Sequence, residues 1–333
     1  MATIRDVAQR AGVSVATVSR VLNQNGYVNQ DTEARVMKVI KELDYRPNTV
    51  ARSLANRKTG TIALILPTIM NPFFSELSRA VEDSARSRGF TVIFCNSDDL
   101  DTREQTYIDV LRQKYIDGII FASSSLGEED LAVINENGIP LVVLDRALRE
   151  GNCSVIRSKN AEGARKAVHH LLATGCRKVA HIAGPQELIT AQERLRGYRD
   201  VVKDLDWFEE SLILPGQFSI TGGKGAVQAL VEAHPDVDGI FAGNDLMAIG
   251  ALKALHRMGI KVPEEVSLCG FDGIGATEWT EPELTTVAQL IYEMGARAAL
   301  HLIDRVQGYT DQVEDLELDV HLIERGSTRR RKY

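Results

Sequence analysis

Ile4-Arg5-Asp6-Val7-Ala8-Gln9-Arg10-Ala11-Gly12-Val13-Ser14-Val15-Ala16-Thr17-Val18-Ser19-Arg20-Val21-Leu22-Asn23 opens the chain after three residues. Ile4, Val7, Ala8 and Ala11 recur at the spacing of one helix face, and Thr3 suits the cap. Gly12 ends that helix, and Ser14 suits the N-cap of a second over 15–23. Ala8, Val13, Val18 and Val21 are the expected small core that fixes the two helices at a steep angle. The second helix then presents Val15, Ala16, Thr17, Ser19 and Arg20 outward, a face suited to the DNA major groove. Arg20 suits a bidentate bond to guanine, worth about 1–3 kcal/mol of base discrimination. Exposed Val15 and Ala16 suit thymine methyl groups, while Thr17, Ser19 and Asn23 suit phosphate oxygens. A third helix is expected over 31–43, with Ala34, Val36, Val39, Ile40 and Leu43 inward, and Pro47 breaks the pattern.

Working outward, the charge distribution agrees with a DNA-reading head. The whole chain of 333 residues carries −7, yet residues 1–60 hold ten Lys/Arg against five Asp/Glu. A basic head on an acidic body implies that only the head meets phosphate. From residue 61 the pattern changes to apolar runs at 61–67, 90–95, 118–122, 141–144, 178–183, 239–242 and 266–271, alternating with amphipathic stretches. Strands alternating with helices imply parallel sheets covered on both faces. The expected domains are a helix-turn-helix head over 1–47, a hinge helix and linker over 48–60, and a two-lobed α/β body over 61–333. Lobe 1 is expected to comprise about 61–160 and 290–320, and lobe 2 about 161–289 and 321–333.

No run of about eighteen apolar residues occurs, which argues against a membrane span. Met1-Ala2-Thr3-Ile4-Arg5-Asp6 lacks the charged-then-apolar pattern of an export signal. Cys95, Cys153, Cys176 and Cys269 show no CxxC spacing and read as buried thiols in a reducing cytoplasm. No enzyme motif emerges. Gly222-Gly223-Lys224 is followed by Gly225 rather than Ser/Thr, so it is no phosphate loop. His169 and His170 are adjacent and cannot share one helix face as metal ligands do. No cofactor or metal is expected.

The head and the stretch that follows it resemble the LacI/GalR family of bacterial repressors. In that family a short helix after the head sits in the DNA minor groove. The matching stretch here is Arg46-Pro47-Asn48-Thr49-Val50-Ala51-Arg52-Ser53-Leu54-Ala55-Asn56-Arg57. The resemblance implies that Ala51 and Arg52 lie close to the groove and that Leu54 wedges between base pairs, kinking the duplex. It also implies a homodimer on a palindromic operator. This chain has no C-terminal leucine heptads of the kind that make tetramers.

The body resembles periplasmic sugar-binding proteins, above all those for ribose. The likeness rests on Asn71-Pro72-Phe73-Phe74, Asp145-Arg146, Thr190-Ala191-Gln192-Glu193-Arg194, Phe218, Gly243-Asn244-Asp245, Gly270-Phe271-Asp272-Gly273 and Gln289. Ser123 stands where the ribose-binding pattern has Asn. Nearly all of these follow expected strands, where open α/β sheets bind ligands. A pentose has hydroxyl edges and weakly apolar faces. Phe73, Phe74 and Phe218 suit the faces; Asn71, Ser123, Asp145, Asn244, Asp272 and Gln289 suit the hydroxyls. Arg146 and Arg194 are expected to neutralise Asp145 and Asp272 and hold them ionised. Two acids balanced by two arginines imply an uncharged ligand, D-ribose by resemblance. A purine, another sugar or a protein corepressor stays open as the effector, because members of the family differ in this.

Overall fold

The computed structural model describes residues 2–23, 26–45, 59–113, 116–123, 127, 130, 131, 134, 138–145 and 153–329. They fall into two units, 1–59 and 60–333. The first holds α1 (Ile4–Ala11), α2 (Val15–Asn23) and α3 (Gln30–Glu42). Thr3 Oγ1 accepts from Asp6 N–H while Asp6 accepts from Thr3 N–H at 2.8 Å, a reciprocal cap at the start of α1. Gly12 leaves the helix at φ +63, a conformation that favours glycine, and Val13 N–H closes on Ala8 C=O. Ser14 Oγ accepts from Thr17 N–H at 3.1 Å and starts α2. Val7, Ala8, Ala11, Val18, Val21, Val36 and Val39 form the core. On α3 the expectation for Ala34 is overturned: it is exposed, because two residues of helix turn it about 200° away from Val36.

The second unit carries β1 (Thr61–Leu66), α4 (Pro72–Ser87), β2 (Thr91–Asn96), α5 (Asp101–Gln113), β3 (Gly118–Phe121), β4 (Leu141–Leu144) and β5 (Ser154–Ser158). It continues with α6 (Asn160–Ala173), β6 (Val179–Ala183), α7 (Ile189–Val202), β7 (Ile213–Pro215), α8 (Ile220–Ala233), β8 (Gly239–Ala242), α9 (Asp245–Arg257) and β9 (Ser267–Asp272). It ends with β10 (Thr285–Ala288), α10 (Ile291–Gln307), β11 (Asp315–Leu318) and β12 (His321–Ile323). Two six-stranded sheets form, ordered β11-β5-β4-β3-β1-β2 and β12-β10-β9-β8-β6-β7. We call them the sheets of lobe 1 and lobe 2. All the pairings are parallel except β10 with β12, which is antiparallel.

Alternation along each strand divides the core. In β1, Ile62, Leu64 and Leu66 face α4 and α10, while Ala63 and Ile65 face α5. In lobe 2, Ala180 and Ile182 of β6 pack towards α8 and α9, and Val179 towards α6 and α7. The chain passes between the sheets three times, after β5, β10 and β11. Both sheets therefore direct their strand ends, and the loops that follow, to a shared cleft.

The contact between α6 and α7 depends on missing side chains. A Cβ at Gly197 would lie 2.3 Å from the Ala161 carbonyl oxygen and 2.7 Å from Ala164 Cβ. Gly197→Ala is expected to destabilise the body by about 1–3 kcal/mol, because backbone must part to admit one methyl group. A lowered thermal midpoint checks this; an unchanged one would contradict it.

Candidate functional site

On α2, Val15, Ala16 and Arg20 are exposed, whereas Thr17 and Ser19 are half-buried. Val15 is 41% exposed, high for a valine with a core only one turn away. Buried Val18 and Val21 hold the inner face of the same helix, so the outward face is rigidly presented. The Thr17 hydroxyl pairs with Ser14 Oγ at 2.9 Å, which keeps it close to the helix start. The side chain of Asn23, together with Ala51, Arg52, Leu54 and Arg146, lies outside the described residues. So does the hinge helix expected over 48–60, apart from its last two residues.

The cleft between the two sheets has a volume of about 590 Å³, within the range of roughly 300–1,000 Å³ common for small-molecule sites. Asn71, Phe73, Phe74, Ser123, Asp145, Arg194, Phe218, Asn244 and Asp272 all line it. Residues that sequence reading separated by up to two hundred positions thus meet around one space. Phe73 and Phe74 stand edge to face with centroids 5.0 Å apart. Phe218 lies over Gly184, where a Cβ would come within 2.3 Å of its ring.

Arg194 is the centre of the lobe 2 wall and is 3% exposed. Its Nη1 donates to Gly243 C=O at 2.7 Å and to Asp272 Oδ1 at 3.0 Å. Its Nε donates to Asn160 Oδ1 at 2.9 Å. The guanidinium carbon lies 3.9 Å from the Phe271 ring centroid and 5.7 Å from that of Phe218. Gln289 Nε2 donates to Asp272 Oδ1 at 2.8 Å. Gln289 itself does not line the cleft; it supports Asp272 from behind. Ser123 lines the cleft, but its hydroxyl is engaged with Ser97, Asp99 and Glu104. Asn71 and Asn244 line it while their Oδ1 atoms accept from Phe73 N–H and Met247 N–H, capping α4 and α9. Asp245 lies behind the wall, accepting from Gly273 N–H, Ile274 N–H and Thr286 Oγ1 at 2.6–2.9 Å.

Burial pushes the Asp145 carboxyl up to about 7, assisted by Asp272 and Glu193 and opposed by Arg194. Its Oδ1 is buried without a hydrogen-bond partner among the described residues. Burial raises Asp272 as well, against the pull of Arg194 and Gln289. Burial raises both acids despite the pull of Arg194; Arg146, the expected partner of Asp145, lies outside the described residues. Two acids that the sequence reading missed, Asp99 and Glu187, also line the cleft. Asp99 follows β2, so the strand-end rule could have found it. Among the described residues, Arg194 is the only cation on the wall.

Backbone strain collects in the same place. Seven non-glycine residues among those described adopt positive φ, and five of them line the cleft: Asp99, Asp145, Gln217, Phe218 and Asp272. Such clustering marks sites where side chains are aimed at a cost to the backbone.

Two family descriptions cover the chain. Residues 59–326 match the periplasmic binding proteins and sugar-binding domain of the LacI family, and residues 3–48 match the bacterial regulatory proteins of the lacI family. The chain belongs to the LacI family of DNA-binding repressors. A ribose operon repressor from Halalkalibacterium halodurans is 43% identical over 329 residues, spanning 99% of this chain and 98% of that one. The repressor CytR of Escherichia coli K12 is 36% identical over 329 residues, 98% of this chain and 96% of that one. A lac repressor dimer bound to operator and the anti-inducer ONPF superposes with a TM-score of 0.89 at 26% identity, covering 99% of each chain. A LacI-family regulator from Enterococcus faecium with bound ribose gives 0.74 at 32% identity, covering 81% of this chain and 98% of that one. LacI-family members are regulators, so the cleft of this repressor is not the active site of an enzyme. Among the described residues no helix is long and apolar enough to cross a membrane.

In this LacI-family chain, Asp145 makes a measurable demand on stability. Its carboxyl titrates near 7 when folded and near 3.8 when unfolded. The stability it contributes is therefore full below pH 4 and is lost as pH rises through 7. Asp145→Asn is expected to stabilise the chain by about 2–4 kcal/mol above pH 7 and to change little near pH 4. Denaturant unfolding at the two pH values tests this, and a gain that is equal at both would refute it.

Proposed function

We propose that the chain represses a ribose-utilisation operon, binding a palindromic operator as a homodimer and releasing it when D-ribose closes the cleft. The observation that carries the reading is the wall itself. Asp145 and Asp272 offer carboxylate acceptors to adjacent hydroxyls, Arg194 donates, and Phe73 and Phe218 present apolar faces from opposite lobes. Four carboxyl groups on the described wall against one guanidinium disfavour a phosphorylated ligand. The likeness to ribose operon repressors over nearly the whole chain supports the same effector.

A ligand that touches both lobes favours the closed arrangement and shifts an existing equilibrium. In the proposed dimer, closure changes the spacing of the paired first lobes and with it the pairing of the two hinge helices on DNA. Val15, Ala16 and Arg20 would read bases, Thr17, Ser19 and Asn23 would hold phosphates, and Ala51, Arg52 and Leu54 would enter the minor groove. Such a repressor works in the cytoplasm.

The test uses a duplex recovered by in vitro selection on the full chain. A palindromic consensus is expected, with retardation weakened by D-ribose; no change with ribose would overturn the effector assignment, and tighter binding would overturn the sign. Arg20→Ala is expected to relax selectivity at one base pair of each half-site, costing about 1–3 kcal/mol.

Ribose binding should also follow the Asp145 proton. Hydroxyls donate more strongly, and to both oxygens, when the carboxyl is ionised, the form that prevails above about pH 7. Affinity is expected to rise as pH climbs through that value, with proton release on binding below it. Calorimetry in buffers of different ionisation enthalpy measures the released proton; pH-independent affinity would contradict Asp145 as an acceptor.

A further inference from the structure

We infer that Asn160 is a positioning residue for Arg194, and that the cleft requires an amide at this position as long as Glu193 faces it. The inference rests on the effector reading above. Asn160 opens α6 directly after the chain leaves lobe 1, and it is 2% exposed. Its Oδ1 accepts from Arg194 Nε at 2.9 Å. Its Nδ2 donates to Ser158 C=O at 3.2 Å and to Glu193 Oε2 at 3.1 Å. An amide offers one acceptor oxygen and two donor hydrogens. All three are used here, each towards a partner of the opposite kind.

No other side chain of this size satisfies the set. Aspartate would set its carboxylate against that of Glu193, a repulsion that turns it away from Arg194 Nε, and would leave the Ser158 carbonyl without its donor. Alanine would leave the Arg194 Nε–H and Glu193 without this partner in a buried place. The bond to Nε matters because Nη1 alone holds Gly243 and Asp272. Contacts at one corner leave the guanidinium free to pivot about it; a second at Nε fixes its plane. That plane decides where Arg194 can donate into the cleft.

The same residue links the lobes. Glu193 approaches Arg157 of β5 at 3.8 Å, and Arg157 meets Glu317 of β11 at 3.0 Å. Both strands belong to the sheet of lobe 1. The Arg194 guanidinium is thus referenced to lobe 1 through Asn160 and Glu193, although it is carried on a lobe 2 helix. A change in lobe angle at this crossover therefore acts on the ligand-facing arginine.

The experiment compares the full-length wild type with Asn160→Ala, Asn160→Asp, Glu193→Gln and the double variant Asn160→Asp/Glu193→Gln. In the double variant the introduced carboxylate can accept both from Arg194 and from the introduced amide, which removes the repulsion. The first readout is solvent exchange of the Arg194 Nε–H in sugar-free protein, its ¹⁵N resonance assigned by its loss in Arg194→Lys. Exchange is expected to be slow in wild type and Glu193→Gln, fast in both single Asn160 variants, and slow again in the double variant. The second readout is calorimetric titration with D-ribose. Affinity is expected to fall roughly ten- to a hundredfold in Asn160→Asp and Asn160→Ala and to return to within about threefold of wild type in the double variant. Circular dichroism confirms that each variant is folded, and rescue by a second substitution separates positioning from general damage. Wild-type exchange in Asn160→Asp, or a double variant no better than the single one, would overturn the inference. If wild type binds no ribose, the effector reading fails while the exchange series still decides the role of Asn160.

Discussion

A guanidinium sealed beside aromatic rings organises the body of this repressor. Arg194 is buried against Phe271, and its hydrogen bonds reach α6, the loop after β8 and the end of β9. An unpaired charge in such a place would cost several kcal/mol. The chain therefore gathers Asn160, Gly243 and Asp272 around it, and Gln289 behind Asp272. Four segments far apart in sequence are held in mutual register by one cation. The register of the lobe 2 strand ends, and hence the shape of the cleft, follows from satisfying that cation.

The opposite wall is less satisfied, and this difference has consequences. Asp145 turns into the cleft at φ +57 with a buried oxygen that has no partner among the described residues. Left-handed backbone and an undersolvated carboxyl both subtract from stability. Costs of this kind cluster at ligand sites, where strain aims a side chain. Lobe 2 thus presents a preorganised donor and acceptor, and lobe 1 presents an acceptor in want of a donor. On the proposed reading, a guest with adjacent hydroxyls would relieve lobe 1 by bridging the gap to lobe 2, which is the differential contact that a closing equilibrium needs.

Local signals made the head legible. Thr3, Gly12 and Ser14 each act on neighbours within a few residues, so caps, turn and helices follow directly from their spacing. The central strands were legible for a related reason: β3, β4 and β8 are buried throughout and read as continuous apolar runs. Three-residue edge strands were not. β7 spans three residues, includes Pro215 and lies at a sheet edge, while β12 offers only His321, Leu322 and Ile323 to an antiparallel partner. Within the cleft, the strand-end rule brought together Asn71, Asp145, Phe218 and Asp272, but it could not separate wall from support. Gln289 and Asp245 differ from Asp272 only in which way their side chains turn. Nor could it reveal that Ser123 is spent on Ser97, Asp99 and Glu104, because those bonds depend on the register of β3 against β1 and β2. Ala34 was misplaced by counting apolar residues without counting turns.

The charge pattern of the cleft carries the argument about ligand class one step further. Residues at or beside the N-termini of α4, α7, α8 and α9 all line it. Each helix N-terminus carries a partial positive charge that attracts electron-rich oxygen. Left alone, four such termini would make an anion site. Here Asp99, Asp145, Glu187 and Asp272 stand among them, so the wall alternates electropositive amides with electronegative carboxyls. A phosphate gains from the first and is repelled by the second. A hydroxyl carries both poles in one group: its oxygen turns to the helix termini and Arg194 while its hydrogen turns to a carboxylate. Several adjacent hydroxyls on a compact ring meet that alternation repeatedly, whereas a flat, hydroxyl-poor heterocycle meets it only at its edge. On the proposed reading the wall would select for hydroxyl density rather than for net charge, and the aromatic rings of Phe73 and Phe218 would cover the carbon framework that hydroxyls leave bare.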